Sequence, residues 1–217
     1  MRTITIKGTG KLSLKPDYTV ISLSLGTLNK NYDKAMETAA MHLDALRSSL
    51  SEIGFAKEDL KTTNFNVDTS YDSERDKNGN YKRIFNGYRV RHELKLEFDF
   101  DTNLLSKVLG KIAYCIAEPE LNVQFTVKDK DSVSEALLES ACKNAKEKAE
   151  ILAKASGVEL GALLSIDYNW GELHLYSPSR YEMDNSCMLK ACAAPSIDIE
   201  PDDIDVSDSV TFVWEIN

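Results

Sequence analysis

The sequence is poor in the residue types that most often carry chemistry. It has three histidines and four cysteines in 217 residues, ten glycines, five prolines, and 26 basic against 35 acidic side chains. No apolar run approaches the ~20 residues that cross a bilayer as a helix, so no membrane span is expected. The opening stretch MRTITIKGTG enters an alternating strand pattern at once, without an apolar signal segment. The chain is therefore expected to be cytoplasmic as given, and periplasmic or exported if a leader has been trimmed from it. Four cysteines do not make a disulfide framework. A net charge of −9 leaves little basic surface to neutralise phosphates, and no nucleic-acid partner is expected. A Gly-x-Ser-x-Gly elbow for a nucleophilic serine is also missing.

What is there begins with GTGKLSLKPD, residues 8–17, which resembles the tail of a phosphate loop. Such a loop aims backbone N–H groups and a helix N-terminus at the anion. Here Gly10 and Lys11 lead into the alternating Leu12 to Lys15 and the turn dipeptide Pro16-Asp17, and no helix follows. The stretch reads as a bulged or bent strand in which Gly8 and Gly10 supply permissive backbone. Asp17 reads as a turn carboxylate bonded to local backbone rather than as a general base.

Composition is that of a globular chain, 42% hydrophobic and 28% charged. YTVISLSLGT (18–27) is a strand, followed by a helix whose apolar face is Tyr32, Met36, Ala39, Leu43, Leu46, Leu50 and Ile53, stopped at Gly54. TTNFNVDTSY extends towards Asn78-Gly79, a hairpin signal. From Tyr88 to Phe100 the even positions are apolar or His92 and the odd positions charged, which predicts one buried and one wet face. Asp101 or Thr102 caps a helix carrying Leu104, Leu105, Val108, Leu109, Ile112 and Ile116. LNVQFTV is a strand, and a third helix from about Ser132 to Ser156 bears Ala136, Leu137, Ala141, Ala145, Leu152 and Ala155, with Gly157 as its stop. LGALLSIDYNW and VTFVWEI are strands. The expected class is α+β, mostly antiparallel sheet with three helices. Residues 18–128 follow the order of a ferredoxin-like unit, extended by a helix and two strands. One domain is expected over 1–217, with an irregular acidic arm at 171–204 where periodicity stops.

Between Gly171 and Asp208 nine acids face two bases, a net of −7, whereas Glu74 to Glu97 holds seven bases against four acids, a net of +3. The arm also holds His174, Cys187 and Cys192, the weak candidates for a metal. A second tight pair of ligands is lacking, and no metal or cofactor is expected. Acidic neighbours raise a thiol pKa, which argues against a redox role for the two cysteines. Cys115, Cys142, His42 and His92 read as core residues of helices and strands.

The ordered set GTGKLSLKPDYTVISL, GFAKEDLKTTNFNVDTSY, GYRVRHELKLEF, NVQFTV and EALLESACKNAKEKAEILAKASGVELG resembles the SIMPL-domain family over almost the whole chain. The matching positions include Gly8, Gly10, Pro16, Asp17, Gly54, Asp59, Tyr71, Gly87, Tyr88, Lys148, Gly157 and Gly161. The resemblance implies association rather than catalysis, since the family's members include periplasmic immunogenic proteins that form rings, oxidative-stress-associated proteins and a signalling adaptor. It brings no active site. Most bacterial members carry an export signal, and where the family has Pro-Gly before the last strand this chain has Pro201-Asp202.

Two functions follow as expectations. One is a non-enzymatic, self-associating scaffold or surface-presenting protein, with itself as partner. Its contacts would come from Trp170, Tyr176, Tyr181, Met183, Met188 and Leu189 in the arm, and from Arg83, Arg89 and Arg91 in the hairpin of the next copy. The other is an enzyme or small-molecule binder whose site forms between subunits.

Overall fold

The structure is a computed structural model, and it describes residues 2–75, 81–169, 171, 173–183 and 199–217. In chain order the elements are β1 (Arg2–Leu14), β2 (Tyr18–Asn29), α1 (Tyr32–Ser51), β3 (Leu60–Arg75), β4 (Tyr81–Asp99), α2 (Thr102–Ala113), β5 (Glu120–Thr126), α3 (Lys130–Ser156), β6 (Leu160–Asp167), β7 (Tyr176–Met183) and β8 (Ile204–Ile216). The expected α+β class with antiparallel sheets and three helices is what forms. Contacts gather into two compact units. We call residues 18–125 with 179–200 the plait unit, and residues 1–17, 126–178 and 201–217 the terminal unit.

In the plait unit the sheet order is β3-β4-β2-β5-β7. β4 lies between β2 and β3 and is antiparallel to both, so α1 bridges two strands that are not neighbours. This is the split β-α-β arrangement of a ferredoxin-like plait, the order the sequence predicts for 18–128. Alternation places it: Val90, His92, Leu94, Leu96 and Phe98 are buried while Arg89, Arg91 and Asp99 are exposed. Ile21, Leu23 and Leu25 of β2 join them beneath Leu46 and Leu50 of α1 and Leu105, Val108, Leu109 and Ile112 of α2. Each such side chain contributes roughly 1.5–3 kcal/mol by leaving water. Asn31 caps α1 by accepting from the Lys34 amide at 3.2 Å, and Asp101 caps α2 by accepting from the Leu104 amide at 2.7 Å. Because α2 ends at Ala113, Ile116 falls off the predicted stripe and is 80% exposed.

In the terminal unit the sheet order is β1-β8-β6, and β1 pairs with β8 in unbroken register from Arg2 opposite Ile216 to Leu14 opposite Ile204. No bulge or bend lies at Gly8 or Gly10, which corrects the expectation that they supply permissive backbone. Their role is proximity. A Cβ on Gly8 would lie 2.1 Å from the Ala141 carbonyl oxygen, and one on Gly10 would lie 2.1 Å from that of Leu137. The strand thus touches the backbone of α3, where Ala141, Ala145, Ala149 and Ala153 repeat every four residues and are buried. The stripe runs through Ala149 and Ala153, not through Leu152 and Ala155, which are exposed. Thr9 donates its amide to Asn144 Oδ1 at 3.0 Å and Lys148 Nζ donates to the Lys7 carbonyl at 3.1 Å, so α3 side chains occupy the outer edge of β1.

Other expectations are corrected by geometry. Cys142 is exposed on α3, and Cys115 is buried. The carboxylate of Asp17 accepts from the distant Lys128 amide at 2.8 Å rather than from local backbone. Within the stretch read as irregular, Tyr176–Met183 forms β7, and β8 begins at Ile204, six residues before the alternation predicts. The Asn78-Gly79 turn lies outside the described residues.

Candidate functional site

The distal part of the β3–β4 hairpin carries an unusual density of half-exposed rings. Pairing shifts between Ser70 and Tyr71, where Asn86 is left over and Gly87 takes φ 151°. A Cβ on Gly87 would also lie 2.6 Å from the Asn29 carbonyl oxygen, so this bulge requires glycine. The bulge turns Phe85 onto the face of Tyr88. Edge-to-face contacts then run Tyr71 to Phe85 at 5.7 Å, Phe85 to Tyr88 at 5.4 Å and Tyr88 to Tyr32 at 5.5 Å. The Arg83 guanidinium lies 4.5 Å over the Tyr71 ring and that of Arg75 lies 5.7 Å over Tyr81. Tyr71 is 44% exposed and Tyr81 is 75% exposed. An exposed aromatic row of this kind, rimmed by cations, is characteristic of an interaction surface.

The same bulge separates residues that the sequence groups together. Arg83 belongs to the aromatic face, whereas Arg89 and Arg91 stand on the opposite, helix-free face of the sheet. There, β2 sets Ser22, Ser24, Gly26 and Leu28 opposite Lys95, Glu93, Arg91 and Arg89. Two hollows open on this face within the plait unit. One, of about 480 Å³, includes Ser22, Ser24, Thr63, Glu93, Glu120, Asn122 and Glu182 in its lining. The other, of about 530 Å³, includes Ser24, Gly26, Arg89, Arg91, Glu93 and Glu120.

Of the arm residues, Tyr181 and Met183 pack against the plait unit's core. His174 and Tyr176 lie with ring centroids 5.3 Å apart, and Lys130 sits 5.3 Å from the Tyr176 ring. Trp170, Cys187, Met188, Leu189 and Cys192 lie outside the described residues. Among the described residues no group of three or more His, Cys, Asp and Glu is placed to hold a metal ion. Tyr168 donates to the Asp208 carboxylate at 2.9 Å, and that bond holds its phenol above the ordinary value. The aromatic row was not singled out from the sequence, because Tyr71 and Phe85 meet only through the bulge. The one available signal was Gly87 interrupting an otherwise regular strand.

His92 is the buried histidine of β4, 7% exposed. Its Nε2 shares a hydrogen bond of 2.8 Å with the Thr62 hydroxyl, and the Phe65 ring meets it edge-on at 5.0 Å. Burial lowers its pKa below the ordinary 6.5, and the Arg47 charge lowers it further. The unfolded chain therefore binds a proton at a higher pH than the folded chain does. Stability is full above about pH 7 and falls as pH drops below the unfolded value, by about 1.4 kcal/mol for each unit separating the two pKa values. Thermal melts between pH 7.5 and 5 should show this decline, and His92→Gln should flatten it. An unchanged slope in that variant would assign the decline to other groups.

The chain matches, over residues 4–214, the family described as SIMPL, protein of unknown function (DUF541). It is 24% identical over 163 residues to the 26 kDa periplasmic immunogenic protein of Brucella melitensis biotype 1, a match covering 75% of this chain and 65% of that protein. The protein of the same name from Brucella abortus strain S19 is likewise 24% identical over 163 residues, with the same coverage. The match thus spans just under two thirds of the relatives' own length. Among the described residues no helix is long and apolar enough to cross a membrane.

Proposed function

Because the chain belongs to the SIMPL (DUF541) family, we propose that it is a non-enzymatic, self-associating protein that serves as a scaffold or presents a surface. The observation that carries this reading is the half-exposed row Tyr71, Phe85, Tyr88 and Tyr32 with Arg83 and Arg75 against its rings. Rings supply anchors at low entropic cost, and Arg75 and Arg83 on that face complement the −7 of residues 171–208. In this reading the acidic stretch of one copy meets the aromatic face of the next. A heterologous contact of that kind closes into a ring or runs on as a filament. Arg89 and Arg91 stand on the other face and take no part in it. The periplasmic designation of the relatives favours the exported alternative over the cytoplasmic one. The oxidative-stress-associated proteins that the sequence resembles extend the reading to a stress-related role.

The test is solution mass by light scattering. Wild type should be oligomeric at tens of micromolar and lose mass as salt rises to about 0.5 M, where screening acts within a few ångströms. Arg75→Glu with Arg83→Glu should dissociate it at low salt while leaving the melting temperature within a few degrees. Charge reversal is a cleaner probe than deleting residues 172–200, because that deletion removes β7 from its sheet. A strictly monomeric wild type would sink the reading.

A further inference from the structure

The helix-free face of the plait sheet points to a second role, independent of self-association. We propose that the trough formed by its two hollows binds a small zwitterion of dipeptide size, with the carboxylate on Arg89 and Arg91 and the ammonium among Glu93, Glu120 and Asn122.

The hollows share Ser24, Glu93 and Glu120, so they form one trough whose ends differ in charge. Arg89 and Arg91 stand at one end, Glu182 at the other, and Glu93 and Glu120 at the common rim. These charges are available. Among the described residues Arg91, Glu93 and Glu120 make no ion pair, and Arg89 donates only to Ser70 Oγ at 3.3 Å. The next two residues along the same face, Lys95 and Glu97, do pair at 2.9 Å, so pairing on this face is sterically open and Arg91 and Glu93 leave it unused. Asn122 donates to Glu182 at 3.3 Å, while its own Oδ1 is buried from water with no donor. An acceptor left open among carboxylates suits an ammonium group.

Gly26 forms the floor opposite Arg91, and a Cβ there would meet nothing within 4 Å. Its φ is not positive, so neither backbone geometry nor a close neighbour requires glycine. What the missing side chain provides is space. Hollows of about 480 and 530 Å³ fall within the range of ligand sites. The backbone positions of Arg91 and Glu93, two apart on one strand, are about 6.6 Å apart, close to the ~7 Å reach of two extended residues. A planar guanidinium grips a carboxylate through two parallel bonds, which fixes the ligand's direction.

The experiment titrates alanyl-alanine into the full chain by calorimetry or by amide chemical shifts, beside its N-acetyl and C-amide analogues. Wild type should bind the free dipeptide saturably in the millimolar range or better. Each capped analogue should bind at least about tenfold more weakly, 1.4 kcal/mol by the affinity relation. Gly26→Val should keep the fold, since β-branched residues suit a strand, and should abolish binding by filling the floor. Arg91→Gln, an exposed change, should weaken binding comparably and covers the case in which Gly26→Val does not fold. No saturable binding to wild type, equal binding of the capped analogues, or full binding in folded Gly26→Val would overturn the proposal. None of these results depends on the oligomer's mass.

Discussion

Replacing both Gly8 and Gly10 by alanine is expected to unfold the terminal unit. Each new Cβ would lie 2.1 Å from a carbonyl oxygen of α3, and the one on Gly8 would also lie 2.7 Å from Ala145 Cβ. The obstructing atoms are mostly helix backbone, which does not rotate away as a long side chain does. Relief therefore needs α3 to lift off β1 by more than an ångström. That shift breaks the Thr9–Asn144 and Lys148–Lys7 bonds and opens the packing of Ile6, Val210 and Phe212 on the alanine stripe. Overpacking of this kind costs about 1–3 kcal/mol per site and sometimes more, against the roughly 5–15 kcal/mol that holds a domain folded. Urea unfolding followed by far-ultraviolet circular dichroism should show each single variant losing about 2–3 kcal/mol and the double variant losing the terminal unit's transition. Gly26→Ala serves as the control, with a change within about 0.5 kcal/mol. If Gly10→Ala behaved like that control, the close seat of the helix would be wrong.

Leu96→Asp should be the most damaging single change in the plait unit. Leu96 is 0% exposed on β4, pairs with both Ile21 and Leu60, and belongs to the cluster beneath α1 and α2. Loss of the aliphatic chain alone costs about 2–5 kcal/mol, and the carboxylate enters an apolar cluster, adding several kcal/mol or binding a proton. The expected outcome is an insoluble or molten product. Lys95→Asp on the neighbouring residue removes only a half-exposed ion pair with Glu97 and should cost about 0–1 kcal/mol. Comparable losses from the two substitutions, measured by urea midpoint, would contradict the face assignment.

Both contrasts show which parts of the fold could be read from the sequence. Strict alternation over Tyr88 to Phe100 fixes which face of β4 is buried, and the structure agrees from Val90 to Phe98, with Tyr88 and Phe100 half-buried at the ends. Caps are equally local, so Asp101 and Gly157 stand where side-chain chemistry and a left-handed φ of 70° put them. What could not be read depends on partners far along the chain. Gly8 and Gly10 look like bend glycines until α3, some 130 residues on, lies against them. β7 has no apolar period because its sequence, YSPSRYEM, places polar and aromatic residues on both faces, and its place in the sheet comes from pairing. The aromatic row depends on a one-residue bulge, and the trough depends on the register that sets Gly26 opposite Arg91. Neither leaves a pattern within a single segment.

The position of β8 bears on the order in which the chain can be built. It is the middle strand of β1-β8-β6, yet it is made after both of its neighbours, and Arg2 waits for Ile216. At synthesis rates of about 5–20 residues per second, roughly five to twenty seconds separate completion of Phe125 from the arrival of β8. During that interval the plait strands β2 to β5 are already complete, while β1 has its seat on α3 and the bonds from Asn144 and Lys148 but no strand partner. The terminal unit is thus closed by a strand that emerges after both of the strands it joins. A nascent chain held short of Val210 should be readily degraded in that part and not in the plait.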